Sequence, residues 1–142
     1  MQVETILQSK GAAVFTVSAS APVAEAVREL NSRRIGAVVV VNDDGHVAGI
    51  LSERDIVRHL GGDPEALLAS PVSEIMTRNV ISCRSETAIS ELMEQMTKFR
   101  IRHIPIVDDG KLVGIVSIGD VVKRKIEETE QEAIALREYI AS

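Results

Sequence analysis

Aromatic side chains are almost missing from this sequence. Phe15, Phe99 and Tyr139 make up the 2% present, and there is no tryptophan. Single-stranded nucleic acid is gripped largely by stacking bases on aromatic platforms. A chain of net charge −5 also repels a polyanion unless its cations gather on one face. Nucleic-acid binding is therefore a poor first reading, whereas a small anionic ligand needs only a local basic cluster. Long apolar runs are missing too. None approaches the ~20 residues that a membrane-spanning helix requires, and the longest, such as Ile35 to Val41, are strand-sized. Cysteine occurs once, at Cys83, so an internal disulfide is excluded and a reducing, cytoplasmic compartment is expected. The start, Met1-Gln2-Val3-Glu4, has no basic region followed by an apolar stretch, so no signal peptide is expected.

The residue sets that carry chemistry are equally scarce. Neither G-x-x-x-x-G-K-[ST] nor G-x-G-x-x-G occurs. His46, His59 and His103 are far apart, and none has a His, Cys or carboxylate beside it at the usual metal-ligand spacing. With no nucleophile–base pair and no metal set, neither catalysis nor a catalytic cofactor is expected. Cys83 sits in a strand-like run and reads as a small buried hydrophobe rather than a redox switch.

What is present is a duplication. In 142 residues, 45% hydrophobic and 26% charged, a globular chain is written twice. Val14-Phe15-Thr16-Val17 returns 66 residues later as Val80-Ile81-Ser82-Cys83, and the offset holds through Val23/Ile89, Leu30/Met96, Ile35/Ile101 and Val41/Val107. It becomes 65 at Gly49/Gly114, Ser52/Ser117 and Asp55/Asp120, after Asn42-Asp43-Asp44-Gly45 has faced the shorter Asp108-Asp109-Gly110. Turns are where such a deletion belongs.

Each copy predicts the same elements. Val14–Val17 and Val80–Cys83 read as short strands, and Pro22–Arg33 and Thr87–Lys98 as helices with apolar residues at helical spacing. Pro22 suits the first helical position. Hairpins follow around Asp/Gly turns, Ala37–Val41 with His46–Leu51 and Ile104–Val107 with Lys111–Val116. A second helix closes each copy, near Glu53–Leu60 and Ile118–Ile140, and Glu65–Ala69 forms a short helix between them. Residues 1–61 read as the first repeat with an N-terminal extension, 62–71 as a linker, 72–125 as the second repeat and 126–142 as a helical extension. Thr5-Ile6-Leu7 loosely matches Glu74-Ile75-Met76 ahead of each copy. One copy is too small to bury a good core, so a pseudo-twofold pair sharing one core is expected. In the last helix Val122, Ile126, Thr129, Ala133, Leu136 and Ile140 form a heptad stripe. That stripe either packs on the chain's own N-terminal segment or is the seam of a homodimer.

Gly49-Ile50-Leu51-Ser52-Glu53-Arg54-Asp55 and Gly114-Ile115-Val116-Ser117-Ile118-Gly119-Asp120 resemble the G-h-h-[ST]-x-x-D ending of a CBS (cystathionine-β-synthase-type) domain. Ile75-Met76-Thr77-Arg78-Asn79-Val80 is similar to the segment leading into that family's first strand, and Arg102-His103-Ile104-Pro105-Ile106-Val107-Asp108 to its second strand. The resemblance spans nearly the whole chain. It implies an α/β (α+β) fold of two pseudo-twofold-related βαββα repeats packed through their sheets, with N- and C-terminal helical extensions. It also implies a regulatory module binding AMP, ADP, ATP, NAD or S-adenosylmethionine between the repeats, and a flat, disc-like homodimer. An energy or redox-state sensor read by an unidentified protein partner is then expected. The alternative is a structural dimerisation adaptor with empty or degenerate clefts.

The residues give this expectation a chemistry. Asp55 and Asp120 each follow a buried strand, and an ionised carboxylate can accept both vicinal hydroxyls of a ribose. Capping by these aspartates and by Ser52 and Ser117 explains the same residues. Phosphate calls for cations, and Arg102 and His103 at a strand's start, with Arg54 beside Asp55, are the candidates. Adenine would lie between aliphatic walls chosen from Val17, Ile50, Cys83, Ile104 and Ile115, which serve equally as ordinary core. Pro105, lacking an N–H, should leave a gap in strand pairing that a ligand could face. On the family's crossed pattern, Arg102 and His103 join Ser52, Arg54 and Asp55 in one well-charged cleft. Thr16, Val17 and Ala37 join Ser117 and Asp120 in another with less positive charge.

Overall fold

The computed structural model of the chain describes residues 1–11 and 14–141. Its elements are α1 (Val3–Lys10), β1 (Thr16–Ser18), α2 (Val23–Arg33), β2 (Ala37–Val41), β3 (Val47–Ser52), α3 (Glu53–His59), α4 (Pro64–Ala69), α5 (Ile89–Phe99), β4 (His103–Asp108), β5 (Lys111–Ser117) and α6 (Ile118–Ala141). A 3-10 turn at Val72–Glu74 lies between α4 and α5. The result is the mixed α/β fold of two like repeats with a helical extension at each end.

In the first repeat β1 runs parallel to β2, and β2 pairs antiparallel with β3. The central strand β2 is buried over its first four residues, which is why Val38–Val41 shows no polar alternation. The second repeat copies the hairpin: Ile106 faces Gly114 in β4·β5 as Val40 faces Gly49 in β2·β3, and each ladder shifts register immediately afterwards.

It does not copy the first strand. The strand expected at Val80–Cys83 is reduced to one parallel bridge between Cys83 and Ile106. Cys83 donates its amide to the Pro105 carbonyl (3.1 Å), and Val107 donates to the Cys83 carbonyl (2.9 Å). Going back toward Ile81, the ladder needs an N–H at residue 105 and proline has none. The counterpart of Pro105 is Val39, which pairs with Thr16. The expected start of β1 at Val14 also moves, to Thr16, where pairing with β2 begins.

Helix starts move for a related reason. Pro22 is the N-cap of α2 rather than its first residue, and Ala88 is the N-cap of α5. Both are held extended by bridges, Pro22 to Pro71 and Ala88 to Gln2. Both helices then end on an arginine in the left-handed region, Arg34 and Arg100, each with φ 53°.

Those bridges announce an exchange. Val72, Ile75 and Met76, which lead into the second repeat, complete the core of the first around Val23, Leu30, Val38 and Leu51. Val3 and Ile6, which lead into the first repeat, complete the core of the second around Leu92, Met96, Ile104 and Val116. The single shared core expected from chain length is therefore two cores, each closed by a segment belonging in sequence to the other copy. Fully burying one such valine or isoleucine contributes roughly 1.5–3 kcal/mol, so neither repeat spares its borrowed residues cheaply.

Helix α6 stays beside α1 as far as Glu127 and is exposed from Thr129 onward. Val121 is buried beside Val3 and Ile6. The heptad stripe is not on that face: Val122, Ile126, Thr129, Ala133, Leu136 and Ile140 are all exposed. Packing against α1 therefore does not account for the stripe.

Gly49 and Gly114 hold the same place in the two hairpins but meet different neighbours. A Cβ on Gly49 would lie 2.6 Å from the Thr77 carbonyl oxygen and 2.8 Å from Met76 Sδ, whereas one on Gly114 would lie 2.5 Å from a terminal methyl of Leu7 and 3.6 Å from its next atoms. A leucine methyl can rotate away, but a backbone carbonyl bonded to Ile50 cannot. Gly49→Ala should therefore destabilise the protein by about 1–3 kcal/mol and Gly114→Ala by clearly less, as read from urea denaturation midpoints.

Candidate functional site

Each repeat ends in the same junction. The last strand residue is a serine, and the aspartate three residues on lies in the first turn of the following helix. At the first junction Asp55 Oδ2 accepts the Ser52 amide (2.9 Å) and hydroxyl (3.0 Å), while Ser52 Oγ accepts the Asp55 amide (3.3 Å). This is a capping box, which satisfies otherwise orphaned amides and fixes where α3 starts. Asp55 is 7% exposed, the one buried charged residue among those described. Its Oδ1 accepts the Thr77 hydroxyl at 3.2 Å. A carboxylate offers about four acceptor positions, so one remains for a ligand hydroxyl. A vicinal diol would take a second by displacing a neighbouring hydroxyl. The capping and sugar-binding readings are compatible, and the capping reading is realised.

Around this junction opens a cavity of about 590 Å³, within the usual size of small-molecule sites. Ile50, Ser52, Arg54 and Asp55 line it from the first repeat, and Arg102 and His103 from the second. The structure thus brings together the five residues expected of the well-charged cleft, with Ile50 from the candidate aliphatic walls. Thr77, Asn79, Val80 and Ile81 form a further wall. They lie in the stretch that Pro105 keeps out of the sheet.

Four guanidinium groups line the cavity: Arg54, Arg58, Arg100 and Arg102. Among the described residues none of them is in a salt bridge. On a chain of net charge −5 this is a concentrated cation set, suited to a polyanionic group. Glu53 lies on the rim beside Gly36. The ring of His103 would touch a Cβ on Gly36 at 3.4 Å, so glycine there gives the imidazole room. Burial pushes the His103 pKa below its ordinary 6.5, and the Lys10 and Arg102 charges add to that while Asp120 and Glu53 oppose it. His103 is therefore neutral at pH 7 and can donate a hydrogen bond, but it supplies no charge.

The second junction is built alike and finished differently. Asp120 Oδ2 accepts the Ser117 amide (2.8 Å), and Ser117 Oγ accepts the Asp120 amide (3.2 Å). Lys10 Nζ then lies 2.8 Å from Asp120 Oδ2 and donates to the Ile115 carbonyl at 2.7 Å. Burial raises the Asp120 pKa, but the hydrogen bonds from Lys10 and Ser117 and the Lys10 charge outweigh it and hold the carboxyl below its ordinary range. A small pocket of about 60 Å³ lies beside Asp120 between α1 and α6, lined by Ile6, Lys10 and Lys123 among others.

The remaining expected site residues do not reach the large cavity. Val17, Ala37, Cys83 and Ile104 are buried in the cores, Pro105 is buried within β4, and Thr16 is an exposed residue of β1. Ile115, Ser117 and Asp120 belong to the second junction. Burial pushes the Cys83 thiol up, away from the reactive thiolate. Sequence reasoning missed Arg58, Arg100, Thr77 and Asn79. Arg58 was legible, because it follows Arg54 by four residues on a helix and so shares its face. Arg100 belongs to a basic run, Lys98-Phe99-Arg100-Ile101-Arg102-His103, that also holds the two expected residues Arg102 and His103. Nothing in the sequence marked Thr77 or Asn79 as wall residues, since Thr77 is placed by a backbone pairing with Ile50 of the other repeat.

Comparison with known proteins agrees with this geometry. The family model described as "CBS domain" matches twice, over residues 9–62 and 72–127. The crystal structure of the CBS-domain containing protein ATU1752 from Agrobacterium tumefaciens superposes with a TM-score of 0.84 at 44% identity, covering 88% of this chain and 99% of that one. The CBS domain pair of protein MJ0100, solved in complex with 5′-methylthioadenosine and S-adenosyl-L-methionine, gives a TM-score of 0.80 at 27% identity, covering 90% of this chain and 98% of that one. The CBS domain-containing protein CBSX3, mitochondrial, of Arabidopsis thaliana is 37% identical over 120 residues, 82% of this chain but 58% of its own length. Two copies of one signature, each ending in the Ser/Asp junction described above, therefore make this chain a member of the CBS domain family that carries a tandem pair of repeats.

Proposed function

We propose that the chain is a regulatory module that binds an adenine nucleotide in the 590 Å³ cavity between its repeats and itself catalyses nothing. The observation that carries this is the pairing, in one cavity, of a buried carboxylate with an acceptor position to spare and four guanidinium groups without salt-bridge partners. Asp55 takes the sugar hydroxyls, the arginines take phosphate, and the aliphatic walls at Ile50, Val80 and Ile81 take the base. The adenosine-type ligands of the MJ0100 pair support the ligand class. AMP, ADP, ATP and NAD all share the required parts. Binding stabilises one arrangement of the two repeats through differential affinity, and a protein partner in a reducing, cytoplasmic setting reads it.

A ligand that binds only the folded state raises the melting temperature. AMP, ADP, ATP or NAD at millimolar concentration should therefore shift it upward, and the absence of any shift favours the adaptor reading. Asp55→Asn should weaken binding by calorimetry roughly 10- to 100-fold, the value of a charge-assisted hydrogen bond. Because Asp55 also caps α3, Arg102→Met serves as the companion variant. It should weaken phosphate ligands while leaving the melting temperature of the free protein unchanged.

His103 adds a pH dependence. Beside a bound phosphate the protonated imidazole is favoured, so the complex takes up a proton that the free protein lacks. Affinity should rise as pH falls from about 7 toward about 5.5 in the wild type relative to His103→Gln. Parallel pH profiles would remove His103 from the phosphate.

The bare stripe on α6 supports a homodimer, in which a second copy covers Ile126, Leu136 and Ile140. Light scattering should report a dimer for the wild type and a monomer for Leu136→Glu combined with Ile140→Glu. A monomeric wild type would refute it.

A further inference from the structure

The repeat predicts two clefts, and the aspartate of the second is already engaged by a cation of its own chain. Ile115 is the counterpart of Ile50. In the first cleft the Ile50 carbonyl accepts the Thr77 amide (2.8 Å) and the Thr77 carbonyl accepts the Ile50 amide (3.0 Å), so the leading segment is extended there. In the second, the leading segment stays helical to Lys10. Its ammonium takes the Ile115 carbonyl that a backbone amide takes in the first cleft, and also takes the Asp120 carboxylate. Leu7 presses on Gly114 from the same helix.

We infer that Lys10 is the built-in occupant of the second cleft. Its ammonium sits on the carboxylate that a nucleoside's hydroxyls would need, so the chain takes one adenine nucleotide, in the first cleft, and gains a second site only when Lys10 is withdrawn. This rests on the nucleotide reading of the first cleft. The pair is partly exposed, with side-chain exposures of 35% for Lys10 and 23% for Asp120. Its attraction is therefore modest, and the Lys10 side chain can swing away while Val3 and Ile6 keep α1 seated in the core.

The test is the stoichiometry of AMP on the full chain, by calorimetry and native mass spectrometry. Wild type should bind one AMP per chain and Lys10→Ala two. Lys10→Ala with Asp120→Asn should return to one, and Lys10→Arg should stay at one. Lys10→Met, which keeps the aliphatic stem, replaces Lys10→Ala if that variant melts early. Two AMP on the wild type, or no gain on removing the ammonium, overturns the inference and leaves the first cleft untouched. A wild type that binds none while Lys10→Ala binds one overturns the reading of the first cleft and upholds that of Lys10. No binding by either overturns both.

Discussion

The contact on which the rest depends is a carboxylate gripping the amide of a serine three residues before it, where a buried strand gives way to a helix. It occurs at Asp55 with Ser52 and again at Asp120 with Ser117. Because the aspartate sits in the first turn, it also satisfies the helix start, and because the strand ends in the core, the carboxylate is brought close to the cleft. Each aspartate then has acceptor capacity left over. What fills that capacity decides what each half of the molecule can do. A neutral hydroxyl, Thr77, fills part of it in one half, and an ammonium, Lys10, takes it in the other.

Most of the architecture was legible because the sequence repeats. Both hairpins follow from aligning the two copies, the long last helix from its heptad spacing, and the five residues of the well-charged cleft from the pattern that the family resemblance implies. The duplication was also what misled. Alignment implies that matched segments do matched things, and Val80–Cys83 does not do what Thr16–Ser18 does, because Pro105 stands where Val39 stands. The proline was in view, and its missing donor was expected to open a gap. That the gap removes nearly a whole strand, and hands Val80 and Ile81 to the cavity wall, is a tertiary outcome.

Lys10 and Thr77 were invisible for a different reason. Both lie in the segments that lead into the repeats, where the match was only Thr5-Ile6-Leu7 against Glu74-Ile75-Met76. Nothing local says that a leading segment packs on the other copy. The exchange became apparent only from the bridges Gln2 to Ala88 and Pro22 to Pro71 and from the membership of the two cores. Arg100 was hidden by its backbone. A left-handed helix end usually carries glycine, and here an arginine holds that conformation and lines the cavity.

The exchange of leading segments also dictates an order of assembly. As the chain leaves the ribosome, its first half emerges without Val72, Ile75 and Met76, and its first core stays unfinished until they follow. The second half closes only over Val3 and Ile6, which are synthesised well before it. Lys10 must wait for Asp120, 110 positions downstream. Pairings this distant in sequence carry a high loop-closure entropy and slow the search for the native state. Helix α1 is thus made before the repeat it completes and is among the last pieces to find its seat, and a nascent chain halted between the repeats holds no completed hydrophobic interior.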